Sequence, residues 1–236
     1  MRAVLVNVAT VLIGSAIGLL FRNKINKKFV QAVISALALV TILIGISSAI
    51  KTADILCVIV CMALGTIIGE LIRIDDGIEG AGNFIKFKLL KGKAKDNRFA
   101  EGFVTACIVF CVGSMTIMGS FEAGINGNNN IIYAKSLLDF VTSMMFAAAM
   151  GLGVPFSAIF VLVFQGGLTL LASVLSPYLS AMVVTEMSAI GGVILIGMGI
   201  NMLELSEKRI KVANMLPAIF LPLLYLPLSN WISSLF

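Results

Sequence analysis

The sequence predicts an all-α polytopic membrane protein with about eight transmembrane helices, in which an inverted repeat encloses a central helical hairpin. Of the 236 residues, 59% are hydrophobic and 12% are charged, whereas soluble domains carry about 25% charged residues. The apolar runs reach about 20 residues, the length at which a helix spans a bilayer. In addition, the basic residues gather in alternate loops, and the two ends of the chain share a sequence pattern.

The eight predicted spans follow the apolar runs and are numbered in chain order. Transmembrane strands would instead need short segments of alternating polarity. The first run leads into "FRNKINKKF" and not into the small-residue cleavage site of a signal peptide, so we interpret it as a retained helix. The spans are approximately 3–21, 29–49, 54–72, 99–120, 136–152, 156–175, 186–204 and 213–234.

The loops after spans 1, 3 and 7 hold 14 of the 17 basic residues. Because cytoplasmic loops retain positive charge, we predict these loops to be cytoplasmic and both termini to lie outside. The long loop 73–98 interleaves apolar residues with lysines. It is expected to lie on anionic headgroups, with docking of a partner as the alternative. Topology thus explains the basic composition, and no nucleic-acid partner is expected.

The two ends of the chain show a repeat. Residues 11–45 and 163–197 agree at seven positions, which include the two copies of "ILIG", and "KTADIL" and "KVANML" follow these copies. Spans 1–3 would then correspond to spans 6–8 in opposite topology, as in many secondary transporters. The alternative is chance identity combined with the charge rule. The single membrane domain 1–236 would comprise repeat one (1–72), the cytoplasmic loop (73–98), the central hairpin (99–153) and repeat two (154–236).

A second, shorter sequence similarity relates "GSAIGLLFR" in span 1 to "GTIIGELIR" in span 3. Their paired glycines let helix backbones approach closely in lipid. We predict helix packing at Gly14, Gly18, Gly65 and Gly69, with a homo-oligomer as a further option.

Four runs, "GSMTIMGS", "KSLLDF", "GLGVPFSA" and "VANMLPA", resemble those of the YdfK/YqgA family of bacterial inner-membrane proteins, which is defined by a domain of unknown function. The resemblance covers essentially the whole chain. It implies a multi-pass protein of the bacterial cytoplasmic membrane and brings no catalytic or binding residues with it.

The central hairpin contains the most polar membrane segment. Lys135 and Asp139 lie four residues apart on one helical face, and Thr142 and Ser143 continue it. A carboxylate at membrane depth is a functional hypothesis by default. The alternative is an interfacial ion pair in which the lysine extends to the surface.

Span 4 ends in a polar stretch that contains Ser114, Thr116, Ser120 and Glu122, flanked by glycines. Such a stretch can break a helix and expose backbone groups to an ion or substrate. A plain helix end before the turn "NGNNN" is the alternative.

Three amides, Asn7, Gln165 and Asn201, are also predicted inside spans. Each must find a partner in lipid, and Gln165, within "FQGG", is the best candidate for a site. In span 8, Pro217, Pro222 and Pro227 predict a kink that serves either gating or packing.

Chemistry beyond transport finds little support in the sequence. Cys57, Cys61, Cys107 and Cys111 could supply thiolates to a soft metal, but they are more typical of packing residues, so no cofactor or metal is expected. Histidine is absent, and no nucleotide or hydrolase motif occurs, so we do not expect an enzyme.

The function predicted is therefore a secondary transporter or channel for a small solute or ion, embedded in the lipid bilayer. Its site would lie between the central hairpin and the repeats, with Asp139 as the coupling residue and nearby hydroxyls as ligands. A non-transporting scaffold is the main alternative, and a soft-metal transporter is a minor one.

Overall fold

The structure is a computed structural model that describes residues 1–22, 27–77, 80, 99–111, 114–175, 177 and 179–233. Within this part of the chain it contains nine α-helices of eight or more residues and no strand. A π-helical turn, Glu122–Asn126, follows the fifth helix, and a 3₁₀ segment, Val212–Phe220, precedes the ninth. The helices are α1 (Arg2–Arg22), α2 (Lys27–Ala49), α3 (Ile55–Ile72), α4 (Phe99–Cys111), α5 (Ser114–Phe121), α6 (Asn130–Met150), α7 (Gly153–Leu170), α8 (Ala181–Met202) and α9 (Pro222–Ser233).

Six helices, α1, α2, α3, α6, α7 and α8, are long and apolar enough to cross a membrane. Two bent pairs complete the set when each is counted as one span: α4 with α5, inclined by 55°, and the 3₁₀ segment with α9, inclined by 43°. These eight spans follow the predicted order, which confirms an all-α polytopic membrane protein. The kink predicted from the prolines of span 8 is present, since the second bend falls at Leu221, directly before Pro222.

Two helices start five or more residues earlier than predicted. Helix α6 begins at Asn130 and α8 at Ala181, six and five residues before the expected starts of spans 5 and 7. The predicted boundaries were wrong because the charged residues Lys135 and Glu186 were placed at the ends of apolar runs. Both side chains are in fact buried within the helix bundle.

The bundle is built from four helix pairs: α1 packs on α6, α2 on α8, α3 on the 3₁₀ segment, and α4 on α7. Glycines of the predicted packing set lie at two of these contacts. A methyl group on Gly18 would lie 2.1 Å from the Met144 carbonyl oxygen of α6, and one on Gly69 would lie 1.9 Å from that of Asn214. Gly14 and Gly65 likewise face backbone atoms at 2.3–2.4 Å. These glycines therefore mediate contacts within the chain.

Helices α2 and α8 cross at a pair of facing glycines. A methyl group on Gly45 would lie 2.7 Å from the Gly192 carbonyl oxygen, and one on Gly192 would lie 2.5 Å from that of Gly45. Farther along the pair, Gly199 faces Ala38, so the two helices run antiparallel. At the two glycines the backbones approach each other directly, and the side chains of Ser48 and Ile196 pack beside the contact.

The amino-terminal face of the bundle is the face that carries Met1, and it also holds the end of α7, the π-helical turn and the turn between α2 and α3. Met1 lies beside Gly166 near the end of α7, and the π-helical turn lies beside Thr169 through Gly124. The turn between α2 and α3 lies beside the start of α8, because Glu186 accepts a hydrogen bond from that turn. The opposite face holds the ends of α3 and α8. Which face is cytoplasmic remains the prediction made from charge.

The turn between α2 and α3 is fastened by Glu186, which is fully buried. Its carboxylate accepts hydrogen bonds from the Thr52 hydroxyl at 2.6 Å and from the backbone N–H groups of Ala53 and Asp54 at 2.7 and 3.2 Å. Asp54 in turn caps α3 by accepting from the N–H groups of its first turn. One carboxylate thus connects the start of α8 to the start of α3.

Glu186→Leu is expected to destabilise the protein by about 1–3 kcal/mol, because the part-buried N–H groups of Ala53 and Asp54 lose their acceptor. Glu186→Gln retains one carbonyl oxygen for them and should cost no more than about 1 kcal/mol. Thermal unfolding in detergent measures both effects, with the neighbouring Thr185→Ala as the control. Equal stability of the Leu and Gln variants would contradict this role.

Candidate functional site

Helix α6 presents its polar residues to the interior along one face. Lys135, Asp139 and Ser143 follow one another at intervals of four residues and therefore lie on the same side of the helix. All three are buried, with exposed fractions of 5%, 6% and 0%. This face packs against α1, where Gly14 and Gly18 allow the two backbones to approach closely.

The buried polar cluster consists of Asn7, Lys135, Asp139 and Gln165, contributed by α1, α6 and α7. The Lys135 ammonium forms a buried ion pair with Oδ2 of Asp139. Nδ2 of Asn7 donates a hydrogen bond to the same oxygen at 3.0 Å and another to Oε1 of Gln165, also at 3.0 Å. Both amides are fully buried. The contacts form one continuous chain from the ammonium to the glutamine amide.

The cluster lies inside the membrane-spanning part of the bundle. With a rise of about 1.5 Å per residue, Asn7 lies about 8 Å along α1 and Asp139 about 14 Å along α6 from the amino-terminal face. Both residues lie well inside helices of 21 residues, which are long enough to span a hydrocarbon core about 30 Å thick. Lys135 turns inward to Asp139 and does not extend to the surface, so burial argues against the interfacial alternative.

Two atoms of the cluster have no hydrogen-bond partner, although both are buried. They are Oδ1 of Asn7, which is an acceptor, and Nε2 of Gln165, which is a donor. Outside the cluster, Oγ of Ser15 on α1 is also buried without a hydrogen-bond partner. Buried polar atoms are almost always paired with protein or ordered water, so exceptions call for an explanation. The cluster thus offers an unused acceptor and an unused donor beside an ion pair.

The break in span 4 lies next to the cluster. The Lys135 ammonium lies 5.9 Å from the centre of the Phe110 ring, near the end of α4, within the range of a cation–π contact. Across the break, the Thr116 hydroxyl donates to the Phe110 carbonyl oxygen at 2.9 Å, and the Ser120 hydroxyl donates to that of Thr116 at 2.6 Å. These fully buried hydroxyls therefore bond to the backbone of their own span.

The other predicted site residues lie outside the buried polar cluster. Ser143 is buried under α1 and donates to Phe140, whereas Thr142 is half-exposed and donates to Leu138. Glu122 starts the π-helical turn and accepts a hydrogen bond from Asn126 at 3.2 Å. The side chain of Ser114 lies outside the described residues, as does most of the predicted headgroup-binding loop 73–98.

The four cysteines do not form one group. Cys57 and Cys61 on α3 have their sulfur atoms 3.8 Å apart, while Cys107 and Cys111 lie on α4, and all four are free thiols. Among the described residues, no three side chains of the Cys, Asp, Glu or His type are placed to hold a metal ion. The geometry therefore gives the soft-metal alternative no four-thiolate site.

Asn201 has a local role, because its amide bonds to both backbone groups of Ile210 and closes the turn after α8. Asn7, by contrast, joins Asp139 to Gln165, a role that its sequence context did not single out. The available signal was an amide within an apolar run, two turns before a glycine pair that predicts close packing. That signal predicts that α1 contacts another helix at this position, but it does not identify the residues that Asn7 contacts.

Six to eight apolar spans around a buried ammonium–carboxylate pair define a multi-pass helical membrane protein with an ion pair in the interior of its bundle. The comparisons with known proteins agree with this class. The chain belongs to the family described as "Protein of unknown function (DUF554)", whose sequence profile matches residues 2–226.

Two relatives match nearly the whole chain. The uncharacterized membrane protein YdfK of Bacillus subtilis (strain 168) is 26% identical over 220 residues, which cover 92% of this chain and 91% of the relative. The uncharacterized protein YqgA of Escherichia coli (strain K12) is 30% identical over 226 residues, covering 95% and 94%. No solved structure matches the chain.

Proposed function

We propose that the protein is a secondary transporter or channel for a small solute or ion, with the buried polar cluster as its site. The observation that carries the proposal is the Lys135–Asp139 pair at membrane depth, beside an unpartnered amide oxygen and amide nitrogen. Burying two charges is costly, and apolar side chains would pack helices equally well or better. Charged groups within spans typically mark ion and substrate pathways.

The arrangement of the spans supports a carrier built from an inverted repeat. The helices that occupy equivalent positions in the two copies of the predicted repeat lie against each other. These pairs are α1 with α7, α2 with α8, and α3 with the 3₁₀ segment of span 8. The central hairpin follows the same pattern, because α6 packs on α1 and α4 packs on α7, which is the helix equivalent to α1 in the predicted repeat. In inverted-repeat transporters the site lies at the interface between the halves, and the buried polar cluster occupies the α1–α6–α7 junction.

A cavity with polar side chains in its lining lies at the amino-terminal face. Its volume is about 230 Å³, and it lies between α2, α5 and α8, with Lys51, Ser48, Thr185 and Ser188 in its lining. Met118 of α5 also lines it, on the helix whose buried residues Thr116 and Ser120 adjoin the break near Lys135. The lining thus places one lysine and three hydroxyl groups at the end of α2 and the start of α8, where a hydrophilic solute would first contact the bundle.

The test uses the double variant Lys135→Met/Asp139→Asn, which removes both charges together. Thermal shifts of the purified protein are measured with a panel of inorganic ions, amino acids and small carboxylates. The uptake of each stabilising compound into proteoliposomes that contain the protein is then measured. We expect at least one compound to stabilise the wild type and to enter at least tenfold faster than with the double variant. Glu207→Gln, in an exposed loop, is the control.

A panel without stabilising compounds, together with no flux above that of protein-free liposomes, would favour the scaffold alternative. That alternative assigns the cluster to helix packing alone.

A further inference from the structure

We infer that the ion handled by the buried polar cluster is a proton bound by Asp139, and that Lys135 is a built-in cation that keeps sodium and potassium out. This inference rests on the proposed function and names the ion coupled at its site. It follows from which atoms surround the carboxylate, which groups are left unpartnered, and where the ammonium can go once the carboxylate is neutral.

The partners of Asp139 are donors. Oδ2 receives the Lys135 ammonium and the Asn7 amide N–H, so the positions that a metal ion would occupy around this oxygen are taken by hydrogen atoms. Hard cations require a shell of several oxygen ligands. A sodium ion at Asp139 would have to displace the ammonium and then remain beside it, with one carboxylate for two positive charges.

A proton meets neither obstacle. It adds to one carboxyl oxygen as a covalent O–H bond and needs no ligand shell. The proton comes from water, Asp139 becomes neutral, Lys135 keeps its charge, and the charge of the pair rises from zero to +1. The Lys135 N–H groups then face a neutral carboxylic acid in place of an anion, which weakens the ion pair.

The released ammonium has two alternative interaction partners, one within the cluster and one beside it. The first is the unpartnered Oδ1 of Asn7, which belongs to the amide already bonded to the same carboxylate oxygen as Lys135. The second is the face of the Phe110 ring, 5.9 Å from the ammonium. The unpartnered Nε2 of Gln165 and Oδ1 of Asn7 can also be bridged by a water molecule, which accepts from one and donates to the other. The cluster therefore has a paired and a separated arrangement, and protonation selects between them.

The charged and titratable groups around Asp139 are few. Lys135 precedes it on α6, α1 and α7 contribute the neutral amides of Asn7 and Gln165, and α4 contributes the buried thiol of Cys111, which interacts electrostatically with both members of the pair. Apart from this thiol, the interactions resolved for Asp139 within the described residues involve Lys135 and Asn7, and no second carboxylate that could balance an added metal ion is among them.

The experiment is an infrared titration of the full-length protein in lipid. The carboxylic acid C=O band of Asp139 is identified as the band that the Lys135→Met/Asp139→Asn variant lacks and that Glu207→Gln retains. We expect this band to disappear as pH rises, with the same midpoint in sodium, potassium and choline chloride. Asn7→Leu, which retains the carboxylate but removes one donor, should shift the midpoint and leave its insensitivity to sodium unchanged.

Two results would overturn the inference. One is a midpoint that falls by about one pH unit for each tenfold rise in sodium, as competition between the two ions requires. The other is the absence of any titrating band that the double variant lacks. Flux in proteoliposomes separates this inference from the proposed function. Flux driven by a sodium gradient alone would refute proton coupling and leave the transport function standing. A sodium-insensitive titration without flux would refute the transport function.

Discussion

Replacing one member of the Lys135–Asp139 pair is expected to destabilise the protein by about 3–5 kcal/mol, because the other charge is left buried without its partner. Lys135→Met should show this loss in full, whereas Asp139→Asn should show a smaller loss, because the released ammonium can turn to Oδ1 of Asn7 or to the Phe110 ring. The double variant should recover most of it, since no unpaired charge remains and neutral side chains of similar size pack at least as well. Thermal unfolding in detergent, with fluorescence as the signal, measures all three.

The double variant also separates stability from function. If the pair only packs helices, the double variant should match the wild type in every assay. If the pair is the coupling centre, the double variant folds but loses flux. Additive losses, with the double variant less stable than either single variant, would show that the two charges do not act as a pair.

Gly18→Ala is expected to cost about 3 kcal/mol or more, at or above the upper end of the usual range for an overpacked core. The added methyl group would lie 2.1 Å from the Met144 carbonyl oxygen and 3.0 Å from the Ala148 nitrogen. Both are backbone atoms, so no side-chain rotation can relieve the clash, and α1 must move away from α6. That movement lengthens the Asn7–Asp139 hydrogen bond, and flux should fall together with stability.

Gly167→Ala provides the matched control for this variant. It places the same methyl group in a transmembrane helix, at a position with no atom within 4 Å. Since alanine favours the helix by about 0.8–1.0 kcal/mol over glycine, the control should unfold at the same or a higher temperature. Equal melting temperatures for the two variants would show that α1 can shift from α6 without loss.

Most of the fold could be predicted from the sequence because lipid imposes a simple requirement. Each crossing must satisfy its own backbone groups and face hydrocarbon, so length and apolarity alone reveal the spans. The prediction was wrong where a charged residue belongs inside a helix. Lys135 and Glu186 were placed at the ends of apolar runs, yet each is satisfied by another part of the bundle, which a local sequence window does not contain.

The candidate site was predicted in part for the same reason. Asp139, Lys135 and Gln165 stand out because an ionisable or amide side chain is rare within an apolar run. The connecting role of Asn7 depends on which helix faces α1, and that pairing is a long-range property. The hydroxyls of Thr116, Ser120 and Thr142 were expected as ligands, but each bonds to a carbonyl oxygen of its own span.

The facing glycines Gly45 and Gly192 bear on how such a bundle can change shape. Interlocked side chains hold most helix contacts at one angle, because rotating the helices would force several rotamers to rearrange together. Here the two backbones touch at the glycines, with Ser48 and Ile196 packed beside them, and the two helices belong to opposite halves of the predicted repeat. A movement of one half against the other would have to preserve or break this backbone contact, which leaves no room for a methyl group at either glycine.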